Sequence, residues 1–191
     1  MRILEEAIRQ RGKAIGKDVL LVDSFLNHQI DVGLMQLIGE EFASYFAPKA
    51  IDRIVTIESS GIAPAAFTAY ALNVPLVVMK KQTSKITTGA QLSTTVHSFT
   101  KGTEYQLTVK KEFLPQGERV LFIDDFLASG EAAFGALKLF DQANAQIAGI
   151  GIVIEKSFQP GAERLKRAGI DLYSLARVQS MENGVISFIE S

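Results

Sequence analysis

The 191-residue sequence predicts an α/β protein in which a parallel β-sheet core is covered by helices on both faces. Two observations support this fold class. Residues 118–123 and 147–154 form short, mostly apolar runs, which are typical of strands buried on both sides. Such runs alternate along the chain with segments whose apolar residues recur at helical spacing, which is the order that parallel strands with crossover helices require.

The N-terminal quarter predicts two helices separated by an extended piece. Residues 3–10 and 31–46 carry apolar side chains at helical spacing, with Asp31 placed to cap the second helix and Pro48 to stop it. Residues 18–25 (DVLLVDSF) are short and largely apolar and predict an extended segment. The N-terminus mixes charges at helical spacing, so no secretory signal peptide is expected.

The rest of the chain alternates strands with helices. Strands are expected at 51–57, 75–79, 118–123 and 147–154, and helices at 62–72 and 131–143. Three turns follow strands, namely ESSG at 58–61, DDFLASG at 124–130 and EKSF at 155–158. Because ligands bind beyond the carboxyl ends of parallel strands, we expect these turns to face one crevice.

The composition narrows the classes of function. The sequence has 20 basic and 21 acidic residues and a net charge of −1, so no global field favours nucleic acid or an anionic membrane as a partner. Cysteine is absent from it, which excludes disulfides and thiolate metal sites. No stretch approaches the roughly 20 apolar residues that span a bilayer. We therefore expect a cytoplasmic protein that binds any anionic ligand through a few residues at one site and not through its net charge.

The segment 80–103 is polar, rich in serine and threonine, and without a sustained period. Loops of this length are uncommon inside a compact domain and often act as lids over a site. A surface excursion with no role in binding explains the composition equally well. Both interpretations stay open at the level of the sequence.

The stretch VLFIDDFLASGEA at 120–132 places an acid pair and a small-residue turn between an apolar strand and a helix. A helix start offers backbone N–H groups at the positive end of the helix dipole, which suits a phosphate. Ser129 adds a hydroxyl donor, and Gly130 allows close approach of the backbone. Asp124 and Asp125 can accept hydrogen bonds from sugar hydroxyls or bind hydrated magnesium. The order of these parts favours a phosphorylated ribose as ligand over acids that only cap the turn.

This stretch resembles the phosphoribosyl-pyrophosphate fingerprint of the type I phosphoribosyltransferases. LLVDSFLNHQID, IESSGIAPA and IVIEKSF resemble the xanthine-specific branch of that family, so the similarity covers essentially the whole chain. It implies one domain over residues 1–191, with a small hood over the base formed by about 1–35 and the C-terminal segment, and a flexible lid at about 80–103. It also implies a homodimer that acts in purine salvage, with xanthine and phosphoribosyl pyrophosphate as substrates and magnesium as cofactor.

The resemblance assigns binding residues as well. They are Ala128, Ser129, Gly130, Glu131 and Ala132 for phosphoribosyl pyrophosphate; Asp124 and Asp125 for ribose and magnesium; Ser59, Ser60 and Gly61 for pyrophosphate; and Leu20, Asn27 and Lys156 for xanthine. The pyrophosphate loop of the family often contains a non-proline cis peptide, although ESSG alone also fits a plain turn. Many family loops carry a second hydroxyl and a further glycine where this chain has Ala132 and Glu131, so Glu131 must turn its carboxylate away from the phosphate.

The residues assigned to the base also have plainer interpretations. The resemblance implies that Lys156 donates to the 6-oxygen of an oxopurine, that Leu20 packs on the base, and that Asn27 donates to the 2-oxygen. Without the resemblance, Lys156 fits a solvated surface lysine and Asn27 a loop or capping residue. His28 and His97 lie far apart in the sequence, so neither a histidine metal site nor a catalytic triad is expected.

The implied reaction joins a purine to carbon 1 of the ribose and expels pyrophosphate through an oxocarbenium-like transition state. It requires charge stabilisation and positioning, and no nucleophilic residue; Lys80, Lys81 and Lys85 of the lid are available to the pyrophosphate. Two alternatives remain. One is a non-catalytic sensor of phosphoribosyl pyrophosphate, which would need a DNA-binding domain and a basic surface. The other is an adenine, orotate or hypoxanthine-guanine phosphoribosyltransferase.

Overall fold

A computed structural model describes residues 1–82, 90–98 and 103–189 of the chain. The helices in these ranges are α1 (Arg2–Arg11), α2 (Val32–Phe46), α3 (Ile62–Leu72), α4 (Glu131–Ala143) and α5 (Gly161–Arg167), with a short π-helix at Asp23–Asn27. The strands are β1 (Lys13–Ile15), β2 (Val19–Leu21), β3 (Arg53–Ile57), β4 (Leu76–Gln82), β5 (Gln91–Ser98), β6 (Thr103–Lys110), β7 (Arg119–Leu127), β8 (Gln146–Lys156), β9 (Leu172–Glu182) and β10 (Val185–Phe188). None of the helices in the described ranges has the length and apolar character of a membrane span.

Eight strands form one sheet in the order β10-β9-β8-β7-β3-β4-β6-β5. The five strands from β9 to β4 are parallel to their neighbours, and antiparallel strands extend the sheet at both edges. The predicted parallel core is therefore confirmed, whereas the antiparallel edges go beyond the prediction. The chain leaves β3 for β4 on one side and later places β7 on the other side of β3. The topological switch point, where such sheets bind ligands, thus lies between β3 and β7.

Helices cover both faces of the sheet, as the sequence predicts. On one face α1, α2 and α3 share a core with the sheet, in which Phe42 of α2 is fully buried. On the other face α4 and α5 pack together with the β5–β6 hairpin. Because successive strand residues point to opposite faces, β7 contributes Leu121 and Ile123 to the first core and Val120 and Phe122 to the second.

Two central strands run further than the sequence predicts. β7 extends to Leu127 and β8 to Lys156, and Asp124 pairs with Ile152 in the ladder between them. Asp124 and Asp125 therefore lie inside a strand rather than in the turn that follows it. The reason is that backbone pairing with two neighbouring strands continues regardless of side-chain polarity, so the apolar run marks only the most buried part of each strand.

The segment 80–103 contains more strand than its composition predicts. β5 pairs along its length with β6, and β4 reaches residue 82. Leu92 and Val96 lie towards the core while Ser93, Thr95 and His97 are exposed. This two-residue alternation is weak in the sequence because serine and threonine occupy most of its positions. Residues 83–89 and 99–102 of the predicted lid lie outside the described residues.

The chain between α1 and α2 is more folded than the predicted extended piece. β1 and β2 form an antiparallel hairpin, and the π-helix follows directly. Phe25 and Leu26 of this helix are fully buried in the core shared with α2, and the helical turn is what directs both of them inwards. The predicted cap of α2 is confirmed, because Oδ1 of Asp31 accepts the N–H of Leu34 at 3.1 Å.

Candidate active site

A crevice of about 340 Å³ opens at the carboxyl ends of β3 and β7, at the switch point of the sheet. The β3–α3 loop contributes residues 58–60 to its wall, and the end of β7 with the start of α4 contributes residues 124–133. Lys81, His97 and Tyr105 line it from β4, β5 and β6, and Gln159 lines it from the segment before α5. Two of the three predicted turns therefore meet here, and the volume fits a small-molecule ligand.

Two helices begin at this crevice without a side-chain cap. α3 starts after Gly61 and α4 after Gly130, and neither start has a side-chain cap hydrogen bond within the described residues. The start of α2, by contrast, is capped by Asp31, which does not line the crevice. Because the first N–H groups of a helix have no acceptor within the helix, α4 offers donors and a positive dipole end to an anion in the crevice. At α3 the N–H of Ile62 already donates to the carbonyl oxygen of Ser59, and Pro64 has no N–H, so this helix offers mainly the positive end of its dipole.

Gly130 occupies a conformation that a side chain would oppose. Its φ is +89°, in the left-handed region that favours glycine. A Cβ at this position would lie 3.3 Å from the Cα of Gly161 in α5. The loop between β7 and α4 is thus compact, and its backbone lies directly against α5.

Glu131 is the first residue of α4, and its carboxylate is held by α5. Nη1 of Arg164 lies 2.6 Å from Oε1 of Glu131 and donates to the carbonyl oxygen of Ser129, also at 2.6 Å. A carboxylate paired in this way is committed to a cation on the neighbouring helix. The pairing supplies the side-chain orientation that a phosphate-binding loop with glutamate at this position requires.

The two acids of β7 differ in their surroundings. Asp124 is 8% exposed, and its Oδ1 accepts the backbone N–H of Asp125 at 3.0 Å. Burial first, and then the neighbouring Asp125 carboxylate, hold the pKa of Asp124 well above its ordinary value. A cation or hydroxyl donor bound in the crevice would offset both effects, so the pair is electrostatically prepared for such a ligand. The described residues contain no cluster of three or more acidic, histidine or cysteine side chains that could hold a metal ion.

The β3–α3 loop carries the cis peptide bond that the resemblance implies, between Glu58 and Ser59. The Glu58 carboxylate accepts the backbone N–H of Lys81 at 2.7 Å and the ammonium group of Lys80 at 3.1 Å. Burial acts to raise the pKa of Glu58, but these two donors outweigh it and lower the pKa below its ordinary value. The acid therefore ties the loop to β4 and remains charged.

Gly61 brings the two loops into contact. A Cβ on this residue would lie 2.4 Å from Oγ1 of Thr56 and 2.9 Å from Oδ1 of Asp124. Glycine is thus required for the close approach of α3 to β7. The Thr56 hydroxyl is buried and has no hydrogen-bond partner among the described residues, so a polar atom beneath the crevice is left unsatisfied.

A family model of the phosphoribosyl transferase domain matches residues 22–171. The chain is 54% identical over 186 residues to a xanthine phosphoribosyltransferase of Clostridium botulinum, and the match covers 97% of this chain and 98% of that protein. It is 52% identical over 190 residues to a xanthine phosphoribosyltransferase of Listeria innocua, covering 100% of this chain and 99% of that one. This chain belongs to the phosphoribosyltransferase family.

Solved structures of the family have the same fold. An adenine phosphoribosyltransferase of Thermoanaerobacter pseudethanolicus superimposes with a TM-score of 0.74 at 25% identity, covering 91% of this chain and 99% of that one. The enzyme of Giardia lamblia complexed with 9-deazaadenine gives 0.76 at 22% identity, covering 91% and 97%. The predicted phosphoribosyltransferase fold is therefore confirmed.

Lys156, which the resemblance assigns to the base, is the last residue of β8. It is 9% exposed, donates to the carbonyl oxygen of Asp18, and has its Nζ 5.5 Å from the centroid of the Phe126 ring. Burial lowers the pKa of Lys156, and the carboxylates of Asp18 and Asp125 only partly oppose this effect. It is thus a desolvated cation that connects the N-terminal hairpin to the sheet, and not a solvated surface lysine.

The structure gathers most of the predicted site residues and leaves four of them off the crevice wall. Nine line it, namely Ser59, Ser60, Asp124, Asp125, Ala128, Ser129, Gly130, Glu131 and Ala132. Gly61 contacts Asp124 just behind the wall. Leu20 is buried in β2, and Asn27 is exposed at the end of the π-helix. The phosphoribosyltransferase crevice thus collects the residues assigned to the phosphorylated sugar, while those assigned to the base lie beyond its edge.

Sequence reasoning missed His97, Tyr105 and Gln159 as crevice residues. Burial, and then the nearby Asp124 carboxylate, raise the pKa of Tyr105, so it is a neutral hydroxyl beside the acid pair. The signal that could have found Tyr105 is the alternation with Leu107 and Val109, which marks one face of β6. No sequence pattern indicates that this face turns towards the ends of β3 and β7, since β6 is added at the far side of β4.

Proposed function

We propose that this protein transfers the 5-phosphoribosyl group from phosphoribosyl pyrophosphate to xanthine and releases xanthosine 5'-monophosphate and pyrophosphate, as a purine salvage enzyme. The observation that carries this proposal is the identity above 50% to xanthine phosphoribosyltransferases over nearly the full length of both chains. The similarity to adenine phosphoribosyltransferases, at 25% identity or less, concerns the fold and does not bear on the base.

In the proposed complex, Ala128–Ala132 holds the 5-phosphate. The uncapped start of α4, the left-handed Gly130 and the Ser129 hydroxyl support this assignment, because together they present backbone and side-chain donors to one anion. The Glu131 carboxylate stays paired with Arg164 and leaves the phosphate to the backbone. Ala132 contributes through its backbone N–H alone.

Asp124 and Asp125 are proposed to bind the ribose hydroxyls and magnesium. Magnesium usually takes one or two carboxylates and completes its shell with waters and substrate phosphates, so an isolated acid pair fits its requirements without a larger cluster. The raised pKa of Asp124 supports the assignment, since a divalent cation would favour the charged form. When bound, magnesium supplies charge neutralisation at the leaving pyrophosphate.

Ser59, Ser60 and Gly61 are proposed to hold the pyrophosphate. Their place before α3 supports this, because the positive end of the helix dipole lies where negative charge would develop on the leaving group. Lys81 lies on the crevice wall and can pair with the same charge. The residues position the reactants and stabilise charge, and no side chain acts as a nucleophile.

The base is proposed to lie between Lys156, Leu20 and Asn27. Lys156 would exchange the Asp18 carbonyl for the 6-oxygen of xanthine, and its desolvation makes the ammonium a strong hydrogen-bond donor. Asn27 lies at the exposed end of the π-helix, and its amide would donate to the 2-oxygen. Leu20 supplies an apolar contact.

The hood and the lid are proposed as parts of a single domain. The hood comprises about 1–35 and the C-terminal segment, and the shared core of α1, β2 and β9 supports it as one unit with the sheet. The lid comprises about 80–103, of which Lys81, Val96 and His97 line the crevice; Lys85 lies outside the described residues. Limited proteolysis tests the lid, since cleavage between 80 and 103 should slow when phosphoribosyl pyrophosphate and magnesium are added, and equal cleavage rates would contradict it.

We also propose that the protein is a homodimer. Tyr70 of α3 is 87% exposed beside Phe67 in a groove lined by α3 and α2, and it offers an aromatic contact to a second copy of the chain. Light scattering coupled to gel filtration measures the mass, and a monomer at micromolar concentration would contradict this proposal. A cytoplasmic location stays a prediction.

The experiment that tests the proposed function is a spectrophotometric screen. The purified protein is assayed with phosphoribosyl pyrophosphate, magnesium and one of xanthine, hypoxanthine, guanine, adenine or orotate. We expect xanthine to give the highest kcat/KM. A higher value for adenine or hypoxanthine would assign another phosphoribosyltransferase activity, and binding of phosphoribosyl pyrophosphate with no product from any base would indicate a sensor instead.

A further inference from the structure

α5 packs directly on the loop between β7 and α4. The N–H of Gly161 donates to the carbonyl oxygen of Ala128 at 2.9 Å. A Cβ on Gly161 would lie 2.3 Å from that oxygen and 2.9 Å from the nitrogen of Gly130, so the two backbones are as close as glycine allows. The conformation of the loop therefore depends on a helix that begins about 30 residues later in the chain.

Arg164 makes the polar contacts that complete this packing. Its Nη1 is 2.6 Å from both the carbonyl oxygen of Ser129 and Oε1 of Glu131. Its guanidinium carbon lies 4.6 Å from the centroid of the Phe134 ring in α4. A guanidinium held at its edge and on its face has little freedom, which distinguishes this pair from an ordinary surface ion pair.

These contacts also orient the loop's peptide groups. The carbonyl oxygens of Ala128 and Ser129 both accept hydrogen bonds from α5. In a planar trans peptide the C=O and N–H bonds point in opposite directions. The N–H groups of Ser129 and Gly130 therefore point away from the α5 donors that these carbonyl oxygens accept, and no hydrogen bond to α5 uses them within the described residues.

The charge of Glu131 is the second consequence. A carboxylate at the first position of α4 interacts favourably with the helix dipole and so competes with any other anion for the same N–H groups. A phosphate ester carries nearly two negative charges at pH 7 and would be repelled by it. Arg164 neutralises this carboxylate and directs it to α5.

We propose that Arg164 is a positioning residue for the 5-phosphate, an inference that rests on the proposed function of the β7–α4 loop. Arg164 acts through two groups that it holds, the Ser129 carbonyl and the Glu131 carboxylate. It makes the loop an anion-binding site in spite of the glutamate, without touching the substrate. Its loss should affect the binding of phosphoribosyl pyrophosphate and spare both the base and the chemical step.

Steady-state kinetics of Arg164→Ala, Glu131→Gln and the double variant test this role. Arg164→Ala should raise the KM for phosphoribosyl pyrophosphate about tenfold or more while kcat and the KM for xanthine change less than threefold. Glu131→Gln should lower that KM several-fold when introduced into the Arg164→Ala background, because it removes the exposed carboxylate. Glu131→Gln alone should change the KM less, since Arg164 already neutralises the acid.

The matched control is Arg167→Ala on the same helix. Arg167 pairs with Glu163 and is 76% exposed, so its removal deletes an ion pair of α5 that does not touch the loop. The KM of this variant should equal that of the wild type. Arg164→Lys should give an intermediate KM, because it keeps the positive charge but loses the planar group that lies over the Phe134 ring. It serves as the test if Arg164→Ala does not fold, as judged by its thermal melting curve.

Two results would overturn the proposal. One is an unchanged KM for phosphoribosyl pyrophosphate in folded Arg164→Ala. If Arg164→Ala does not fold, the same result in folded Arg164→Lys counts instead. The other is a double variant as impaired as Arg164→Ala. Gly130→Val separates this failure from failure of the phosphate assignment: if Gly130→Val raises the KM and Arg164→Ala does not, only the role of Arg164 is wrong. If neither raises it, the loop does not bind the phosphate.

Discussion

The two halves of the candidate site are built in different ways. The phosphoribosyl half consists of residues 58–61 and 124–132, two continuous segments at the ends of neighbouring strands. The base half consists of Leu20, Asn27 and Lys156, three side chains from the N-terminal hairpin, the π-helix and the end of β8. The first half forms a crevice wall in the structure, and the second does not.

Under the proposed function, the two halves would recognise their ligands through different kinds of groups. The phosphoribosyl half offers the backbone N–H groups at the start of α4 and the dipole ends of α3 and α4, so its proposed function depends on loop conformation. The base half offers side-chain donors, and its main cation is already hydrogen-bonded to the Asp18 carbonyl. Substitutions in the first half should therefore affect phosphoribosyl pyrophosphate, and substitutions in the second should affect the choice of base.

The acid pair should show the strongest effect. Asp124→Asn with Asp125→Asn should lower kcat/KM roughly 1,000-fold at ordinary magnesium, because charge stabilisation at the leaving group is lost. The variant should stay folded, as its far-UV circular dichroism would show. Retained activity in the double variant would make the carboxylates structural and remove the ribose and magnesium assignment.

Asp124→Asn alone should also change stability in a pH-dependent way. The raised folded-state pKa means that the folded protein binds this proton more tightly than the unfolded chain. The protonated Asp124 side chain thus contributes fully to the free energy of unfolding below the ordinary pKa near 4. This contribution is lost as the pH rises through the raised pKa of the folded state. The melting temperature of Asp124→Asn should exceed that of the wild type at pH 7, and the gain should shrink towards pH 4. An equal gain at both pH values would contradict the raised pKa.

Gly130→Val should be the next strongest and should act on the phosphoribosyl half alone. The left-handed φ and the 3.3 Å approach to Gly161 oppose a side chain, so the loop must shift. Loss of a charge-assisted hydrogen bond costs about 1.5–3 kcal/mol, which corresponds to roughly a 10- to 100-fold higher KM for phosphoribosyl pyrophosphate. The KM for xanthine should stay within threefold. Gly117→Val is the control, since Gly117 also has a positive φ, +82°, but no atoms crowd its Cβ. An unchanged KM for phosphoribosyl pyrophosphate in Gly130→Val would contradict the phosphate assignment.

Lys156→Ala tests the base half. Xanthine should lose about 10- to 100-fold in kcat/KM, because a charged donor to the 6-oxygen is removed, and the preference over adenine should narrow. Lys156→Met keeps the apolar stem beside Phe126 and should show the same loss, which separates hydrogen bonding from packing. If both variants keep the wild-type order of kcat/KM among the purine bases, Lys156 does not take part in recognising the base.

Asn27→Ala should have the smallest effect. Hypoxanthine lacks the 2-oxygen, so the xanthine-to-hypoxanthine ratio of kcat/KM should fall about tenfold, the cost of one unmet hydrogen bond. His28→Ala is the matched control, because His28 is the exposed neighbour at the end of the same π-helix. An unchanged ratio in Asn27→Ala would mean that Asn27 does not bind the 2-oxygen of xanthine.

The prediction from sequence was most accurate where one continuous segment carries both the strand and its ligand-binding turn. The helices at 62–72 and 131–143 and the stretch 120–132 are examples, since hydrophobic periodicity and the small-residue turn are local properties of the chain. It was less accurate at the strand ends, because β7 continues through the acid pair by backbone pairing that ignores side-chain polarity. The prediction from sequence missed β5 and β6, because their burial depends on packing against α4 and not on a local pattern.

Local order along the chain was enough to predict the parallel core, the position of the acid pair and the small-residue turn before α4, because each depends on residues adjacent in sequence. Long-range packing was needed for everything that joins distant segments: Arg164 with Glu131, Lys156 with the Asp18 carbonyl, and Tyr105 near the acid pair. These contacts arise from the order of strands in the sheet and from which helices meet at its edge. No local pattern encodes that order, since it minimises the free energy of the whole chain and not that of any one segment.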